Sequence, residues 1–77
     1  MKITKIDKPD QGATVWSGRA KTGTRTLEWF YWPRHWLHVR EQQPGNPRVW
    51  INIEPPEGLK QQVLNAVRRA KRSEGRK

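Results

Sequence analysis

The clearest indication of the fold lies in residues 36–53, which read WLHVREQQPGNPRVWINI. Aliphatic residues alternate with polar and aromatic ones on both sides of a segment rich in proline, glycine and amide side chains, a pattern typical of an antiparallel hairpin. One face of this hairpin carries Leu37, Val39, Val49, Ile51 and Ile53. The other face carries Trp36, His38, Arg40, Arg48, Trp50 and Asn52. In so short a chain only a helix can cover the aliphatic face, so we expect the second face to be open.

The pairing of these two strands can also be predicted. Arg40 opposite Arg48 would place like charges together, whereas Arg40 opposite Trp50 allows a cation–π contact, an advantage of about 0.5–1 kcal/mol. The favoured register also sets His38 opposite Asn52 and leaves a loop over 43–47. We further expect Val49 and Ile51 to be buried.

Outside this hairpin the pattern indicates two earlier strands, over 13–20 and 25–32, joined by a turn over 21–24. After Pro55 and Pro56 the apolar period changes from two to about 3.6, which predicts a helix from about residue 57 to 72. The predicted fold class is therefore α+β: a four-stranded antiparallel β-meander with one C-terminal amphipathic helix packed on one face. A single domain spans 13–72, between a flexible N-terminal arm (1–12) and a disordered basic tail (73–77).

The composition limits the classes of protein that this chain can belong to. The 77 residues carry a formal net charge of +9 and include five tryptophans, two histidines and no cysteine. A disulfide scaffold and a structural zinc site are therefore not expected, and we predict no cofactor and no metal. No apolar run is long enough to span a membrane, and the N-terminus lacks a signal-peptide pattern, so we expect a cytoplasmic protein with no membrane partner. The positive charge indicates an anionic partner.

Basic residues concentrate at the C-terminal end of the chain. Residues 60–77 hold seven cations and one acidic residue. The helix dipole favours cations near a helix C-terminus, and this accounts for two or three of them. We therefore predict a polyanion contact through Arg68, Lys71 and Arg72. Near the first turn, Arg19 and Lys21 fit either a solvated loop or a contact with phosphate.

The second half of the chain has a recognisable order of elements. A strand from Trp36 to Arg40 is followed by a turn, a strand from Arg48 to Ile51 and an amphipathic helix. It is similar to the sheet-plus-helix DNA-binding domains of phage integrase arm-binding regions and of plant ethylene-response factors. The likeness covers about half of the chain. It implies that Trp36, Arg40, Arg48 and Trp50 enter the major groove of DNA.

These observations favour a small nucleic-acid-binding protein with an accessory or regulatory role. We expect DNA rather than RNA as its ligand, no enzymatic activity, and a prokaryotic, phage or plasmid setting, at the nucleoid if DNA is bound. The predicted binding residues are Trp36, His38, Arg40, Arg48, Trp50, Asn52, Arg68, Lys71 and Arg72.

Two alternatives remain open at the level of sequence. The first is a protein-binding modulator or inhibitor that docks on an acidic surface of a nucleic-acid-handling complex. The second is a homodimer through the aromatic residues of 25–32, which lie on both faces of their strand. In either case the tryptophans would be interface or core residues instead of ligand contacts.

Overall fold

The computed structural model describes residues 1–9, 14–33 and 36–75. Within them lie β1 (Lys2–Asp7), β2 (Trp16–Thr22), β3 (Arg25–Trp32), β4 (Trp36–Gln43), β5 (Asn46–Ile53) and α1 (Leu59–Gly75). The strands form one antiparallel sheet in the order β1-β2-β3-β4-β5. The predicted α+β class, with an antiparallel sheet and one C-terminal helix, is confirmed. The predicted number of strands is wrong, because the sheet has five strands and not four.

The additional strand comes from the segment that is predicted to be a flexible arm. Ile3 lies opposite Ala20 and Ile6 lies opposite Gly18, with an irregularity in the ladder between Ile3 and Lys5. A β-bulge inserts one residue, so it brings two side chains that are three positions apart to the same face. Ile3 and Ile6 are therefore three positions apart although they share a face, and the alternation with a period of two that indicates a regular strand is absent from this segment. Residues 10–12 of the predicted arm lie outside the described residues.

The C-terminal end of the chain also differs from the prediction. Helix α1 begins at Leu59 and continues to Gly75, so residues 73–75 of the predicted disordered tail are helical. Residues 76–77 lie outside the described part of the chain. The long helix keeps the basic residues of its last turns on a regular surface.

The β2–β3 hairpin closes through a two-residue turn. Thr22 pairs with Arg25, and Gly23 adopts a φ of 60°. That backbone conformation is readily available to glycine, which has no Cβ. The bounds predicted for the following strand, Arg25 to Trp32, are confirmed.

The predicted register of β4 and β5 is wrong by two residues. Arg40 lies opposite Asn52, and Gln42 lies opposite Trp50. A second irregularity, between Gln42 and Gln43, shifts the ladder and shortens the expected loop. Two hydrogen bonds hold this segment: Gln42 Nε2 donates to the Pro47 carbonyl oxygen at 2.8 Å, and the Arg48 backbone N–H donates to Asn46 Oδ1 at 3.3 Å.

The core lies between the sheet and α1. Its buried residues are Trp16, Ala20, Leu27, Trp29, Tyr31, Val39, Leu59, Val63 and Val67. Trp29 is fully buried, and its indole lies against the backbone at Gly18. One side of the aromatic strand β3 therefore belongs to the core. Phe30 and Trp32 lie on its other side, which faces away from the core.

The end of β5 lies outside this core. Val49 is 41% exposed and Ile51 is 48% exposed, so the prediction that they are buried is wrong. Helix α1 packs most closely on β1, at the far edge of the sheet from β5. Ile53 still packs against the core residues from its place opposite Val39. The helix is too narrow to cover all five strands, since its diameter is about 10–12 Å and strands lie about 4.8 Å apart.

Candidate functional site

The sheet has an open face on the side away from α1. Directly paired residues of neighbouring strands share a face, so the register defines rows of side chains across the sheet. The central row crosses all five strands through Lys5, Arg19, Glu28, Arg40 and Asn52. The same face also carries Lys2, Lys21, Phe30, Trp32, Trp36, His38 and Trp50. We call these twelve residues the open face.

Trp50 is half-buried on the open face, with two guanidinium groups beside it. The Cζ atom of Arg40 lies 5.3 Å from the ring centroid of Trp50, and that of Arg19 lies 5.8 Å from it. Arg40 also lies 5.4 Å from the ring centroid of Phe30 and donates a charged hydrogen bond to Glu28. Cation–π attraction at such distances holds the indole in place. Arg19, Arg40 and Trp50 therefore form a preorganised cluster built from three strands.

The pairing of Trp50 with Arg40 agrees with the prediction from sequence, although the register does not. In the observed register Trp50 is a diagonal neighbour of Arg40, and diagonal neighbours remain within reach of long side chains. The second cation at the Trp50 ring is Arg19. Arg48 is exposed in the bulged segment of β5.

His38 and Asn52 meet as predicted, but again diagonally. His38 Nε2 lies 3.0 Å from Asn52 Oδ1, and in the tautomer with its proton on Nε2 the imidazole donates to the amide oxygen. The imidazole is also tilted against Phe30, with ring centroids 6.2 Å apart. His38 is exposed, and its contacts are those of a positioned polar side chain.

The aromatic end of the open face lies where β3 and β4 meet. Trp32 lies directly opposite Trp36, and Trp36 is 74% exposed. The two indoles, with Pro33, Leu37 and neighbouring side chains, line a cleft of about 750 Å³. Arg34 and His35, which the sequence places in this turn, lie outside the described residues.

The structure does not bring all predicted binding residues together. Helix α1 covers the core face of the sheet, and Arg68, Lys71 and Arg72 are exposed on it. At 100° per residue, Arg68 and Arg72 lie about 140° and about 180° from the apolar stripe that contacts the sheet. They therefore face away from the sheet, whereas Trp36, His38, Arg40, Trp50 and Asn52 lie on its other side.

Sequence reasoning did not place Lys5, Arg19 and Glu28 on the open face, although it left a phosphate contact open for Arg19. A two-residue turn at 23–24 would have placed Arg19 opposite Glu28 and so on one face with it. Without a register for that hairpin, Arg19 could be placed only near the end of a strand. Lys5 was missed because β1 itself was missed.

One ion pair lies on the core side of the sheet, near the exposed end of β5. Arg25 Nε and Nη2 each donate to a carboxylate oxygen of Glu41 at 2.9 Å. These hydrogen bonds lower the pKa of Glu41 and raise that of Arg25. Because the folded pKa of Glu41 is depressed, the contribution of the pair is present at neutral pH and disappears as the pH falls through that pKa.

The described residues offer no metal site and no membrane-spanning helix. Among residues 1–9, 14–33 and 36–75, no three His, Asp or Glu side chains are grouped so that they could hold a metal ion. In the same part of the chain, no helix has the length and apolar character needed to cross a bilayer.

No protein-family model matches this chain. No curated protein and no solved structure matches it either. Its function is therefore inferred from the residues of the open face, their contacts and their charges.

Proposed function

We propose that this chain is a small non-enzymatic nucleic-acid-binding protein that binds through its open face. The observation that carries the proposal is the meeting of Arg19 and Arg40 at the ring of Trp50, on a face that no described element covers. Guanidinium groups neutralise phosphates and donate hydrogen bonds to them, while indoles stack on bases. Both kinds of group lie side by side here. The proposal includes an accessory or regulatory role in the cytoplasm and a preference for DNA over RNA.

The charges of the open face support a phosphate contact near β1 and β2. Lys2 and Lys21 lie directly opposite each other in the ladder. Like charges in this position destabilise a sheet, and a phosphate group between them would relieve the repulsion. Among the described residues, no carboxylate lies within 4.0 Å of Lys2, Arg19 or Lys21. No described carboxylate therefore competes with an external anion for these three cations.

The remaining cations of the central row have carboxylate partners. Lys5 Nζ lies 3.6 Å from Asp7 Oδ2, and Arg40 forms an ion pair with Glu28. Their charge is partly neutralised within the protein, so we assign them a smaller share of the binding. The role of Arg40 in the proposal is to hold Trp50 and Phe30 in place.

The basic surface of α1 enters the proposal as a separate contact. Arg68 and Arg72 point away from the sheet, and Lys71 lies on the flank of α1. Because α1 is on the other side of the sheet, a nucleic acid on the open face reaches all three only by passing around the sheet. We therefore expect these three cations to contribute to the salt-dependent part of the binding free energy. They should not change how the nucleic acid contacts the tryptophans of the open face.

Two triple variants with equal reduction of charge test the proposal. One variant replaces Lys2, Arg19 and Lys21 by Gln, and its matched control replaces Arg68, Lys71 and Arg72 by Gln. We expect the open-face variant to weaken binding to DNA and RNA. The slope of log affinity against log salt is measured between about 50 and 200 mM. It should fall by about 0.9 for duplex DNA, and by about 0.7 for a single strand, for each phosphate that the variant no longer neutralises. Quenching of tryptophan fluorescence by the nucleic acid should weaken with it.

The helix variant is expected to lower the salt slope while leaving the extent of tryptophan quenching at saturation unchanged. Melting temperatures of both variants should stay within a few degrees of that of the parent chain, because all six side chains are exposed. If the open-face variant leaves the slope unchanged, or if the parent chain binds no nucleic acid, the proposal is wrong. Binding to an acidic protein surface that the open-face variant abolishes would then favour the modulator alternative.

A further inference from the structure

The cleft between the tryptophans of the β3–β4 end is separate from the charged part of the open face. It is lined by Thr14, Trp32, Pro33, Trp36, Leu37 and His38 and has a volume of about 750 Å³. This size falls in the range of about 300–1,000 Å³ that is usual for sites binding small molecules. Among the described residues, the lining is mainly aromatic and aliphatic, with Thr14 and His38 as its polar side chains. Such a lining suits a flat, largely apolar ring.

The core does not explain why Trp36 occupies this position. Trp16 and Trp29 are buried beneath α1, whereas Trp36 is 74% exposed and packs little surface. Its cross-strand partner Trp32 is 36% exposed. An exposed indole beside a partly exposed one forms an apolar patch of the kind that binding surfaces carry.

The cleft and the cations lie along the same strand. Trp36 is four residues before Arg40 on β4, and residues i and i+4 of a strand share a face about 14 Å apart. A polyanion that contacts Arg19 and Arg40 therefore has the cleft about 14 Å away along β4. Phe30 and His38 form the row of side chains between Arg40 and Trp36, and both are aromatic.

The chemistry of the cleft distinguishes an unpaired base from a paired one. In a duplex the flat faces of the bases are covered by stacking, and only their edges are accessible in the grooves. Indoles can stack on a base only when its flat face is exposed, as in a single strand. We infer that the open face binds single-stranded nucleic acid, with its phosphates near Arg19 and an unpaired base in the cleft beside Trp36. This inference rests on the proposed function and specifies its ligand.

Three oligonucleotides of equal length test the inference: a single strand, its duplex, and an abasic strand that keeps the phosphates and lacks the bases. We expect the parent chain to bind the single strand more tightly than either of the others. Trp36→Ala should weaken binding to the single strand by about five- to 150-fold, as expected when one base no longer stacks on an aromatic ring. Its affinity for the abasic strand and for the duplex should not change.

Trp36→Phe is the matched control, because a phenyl ring keeps a stacking surface. It should retain most of the affinity for the single strand while showing weaker fluorescence quenching. The melting temperatures of both variants should equal that of the parent chain. An additional measurement of molar mass by sedimentation should give the same value for the parent chain and for Trp36→Ala.

The outcomes separate this inference from the proposed function. If the parent chain binds all three ligands equally and Trp36→Ala changes none of the affinities, the cleft does not hold a base, and nucleic-acid binding through the open face still stands. If the parent chain binds none of the ligands, both are wrong. A fall in molar mass with Trp36→Ala would identify the cleft as an interface between two copies of the chain and overturn the inference.

Discussion

Trp29→Ala is expected to lower the free energy of unfolding by about 3–5 kcal/mol, the usual cost of truncating a buried aromatic residue. The Trp29 side chain is fully buried and is the largest such side chain in the core. A domain of this size has a stability of about 4–12 kcal/mol, so the substitution removes a large part of it. Urea denaturation followed by far-ultraviolet circular dichroism measures the difference without relying on tryptophan emission.

Trp36→Ala makes the same chemical change at an exposed site and is the control for this measurement. It is expected to alter the free energy of unfolding by no more than about 0.5 kcal/mol. Similar destabilisation of the two variants would mean that the burial of the two tryptophans has been assigned wrongly. A larger loss of unfolding free energy for Trp36→Ala than for Trp29→Ala would mean that Trp36 is the core residue and Trp29 the surface residue.

Gly18→Ala is expected to destabilise the fold by about 3 kcal/mol or more, at the upper end of the range for overpacking. A Cβ atom at this position would lie 2.0 Å from the Lys5 carbonyl oxygen and 2.4 Å from Cζ2 of Trp29. Both distances are far below the ~3.5–4.0 Å of a favourable contact. Either β1 or the indole would have to move, and each is held by the core.

Gly45→Ala is the control for this second prediction, because a Cβ atom there meets no heavy atom within 4 Å. Its stability should stay within about 0.5 kcal/mol of the parent chain. The combination of Gly18→Ala with Trp29→Ala gives a sharper measurement, since removing the indole removes one of the two clashes. The destabilisation of the double variant should therefore be smaller than the sum of the two single effects. Strict additivity would show that the Trp29 ring does not limit the space at Gly18.

The faces of the central strands could be predicted from the sequence because alternation depends only on the period of a strand. Leu37 and Val39 were correctly separated from His38 and Arg40, and the apolar stripe of α1 was located correctly. The two β-bulges could not be predicted, because each is a local change in pairing without a strong residue pattern. One concealed β1, and the other shifted the register of β5.

The candidate site was predictable in part for the same reason. Arg40 and Trp50 come together even though the register differs, since long side chains reach diagonal neighbours as well as direct ones. The contribution of Arg19 could not be found, because its row depends on the register of the β2–β3 hairpin. The exposure of Ile51 depends on where α1 crosses the sheet, which alternation along a strand does not determine.

The order of the strands has a consequence for how the protein folds. Each strand pairs with the next one in the sequence, so the ladder is built entirely from neighbouring hairpins. Such local pairing gives a low contact order and a short search for a β-sheet protein. The exception is the docking of α1 beside β1, which joins opposite ends of the chain. Until α1 docks, Leu27, Trp29 and Val39 are exposed to water. Because α1 is the last element to be synthesised, the apolar side of the sheet stays exposed until synthesis of these elements is complete.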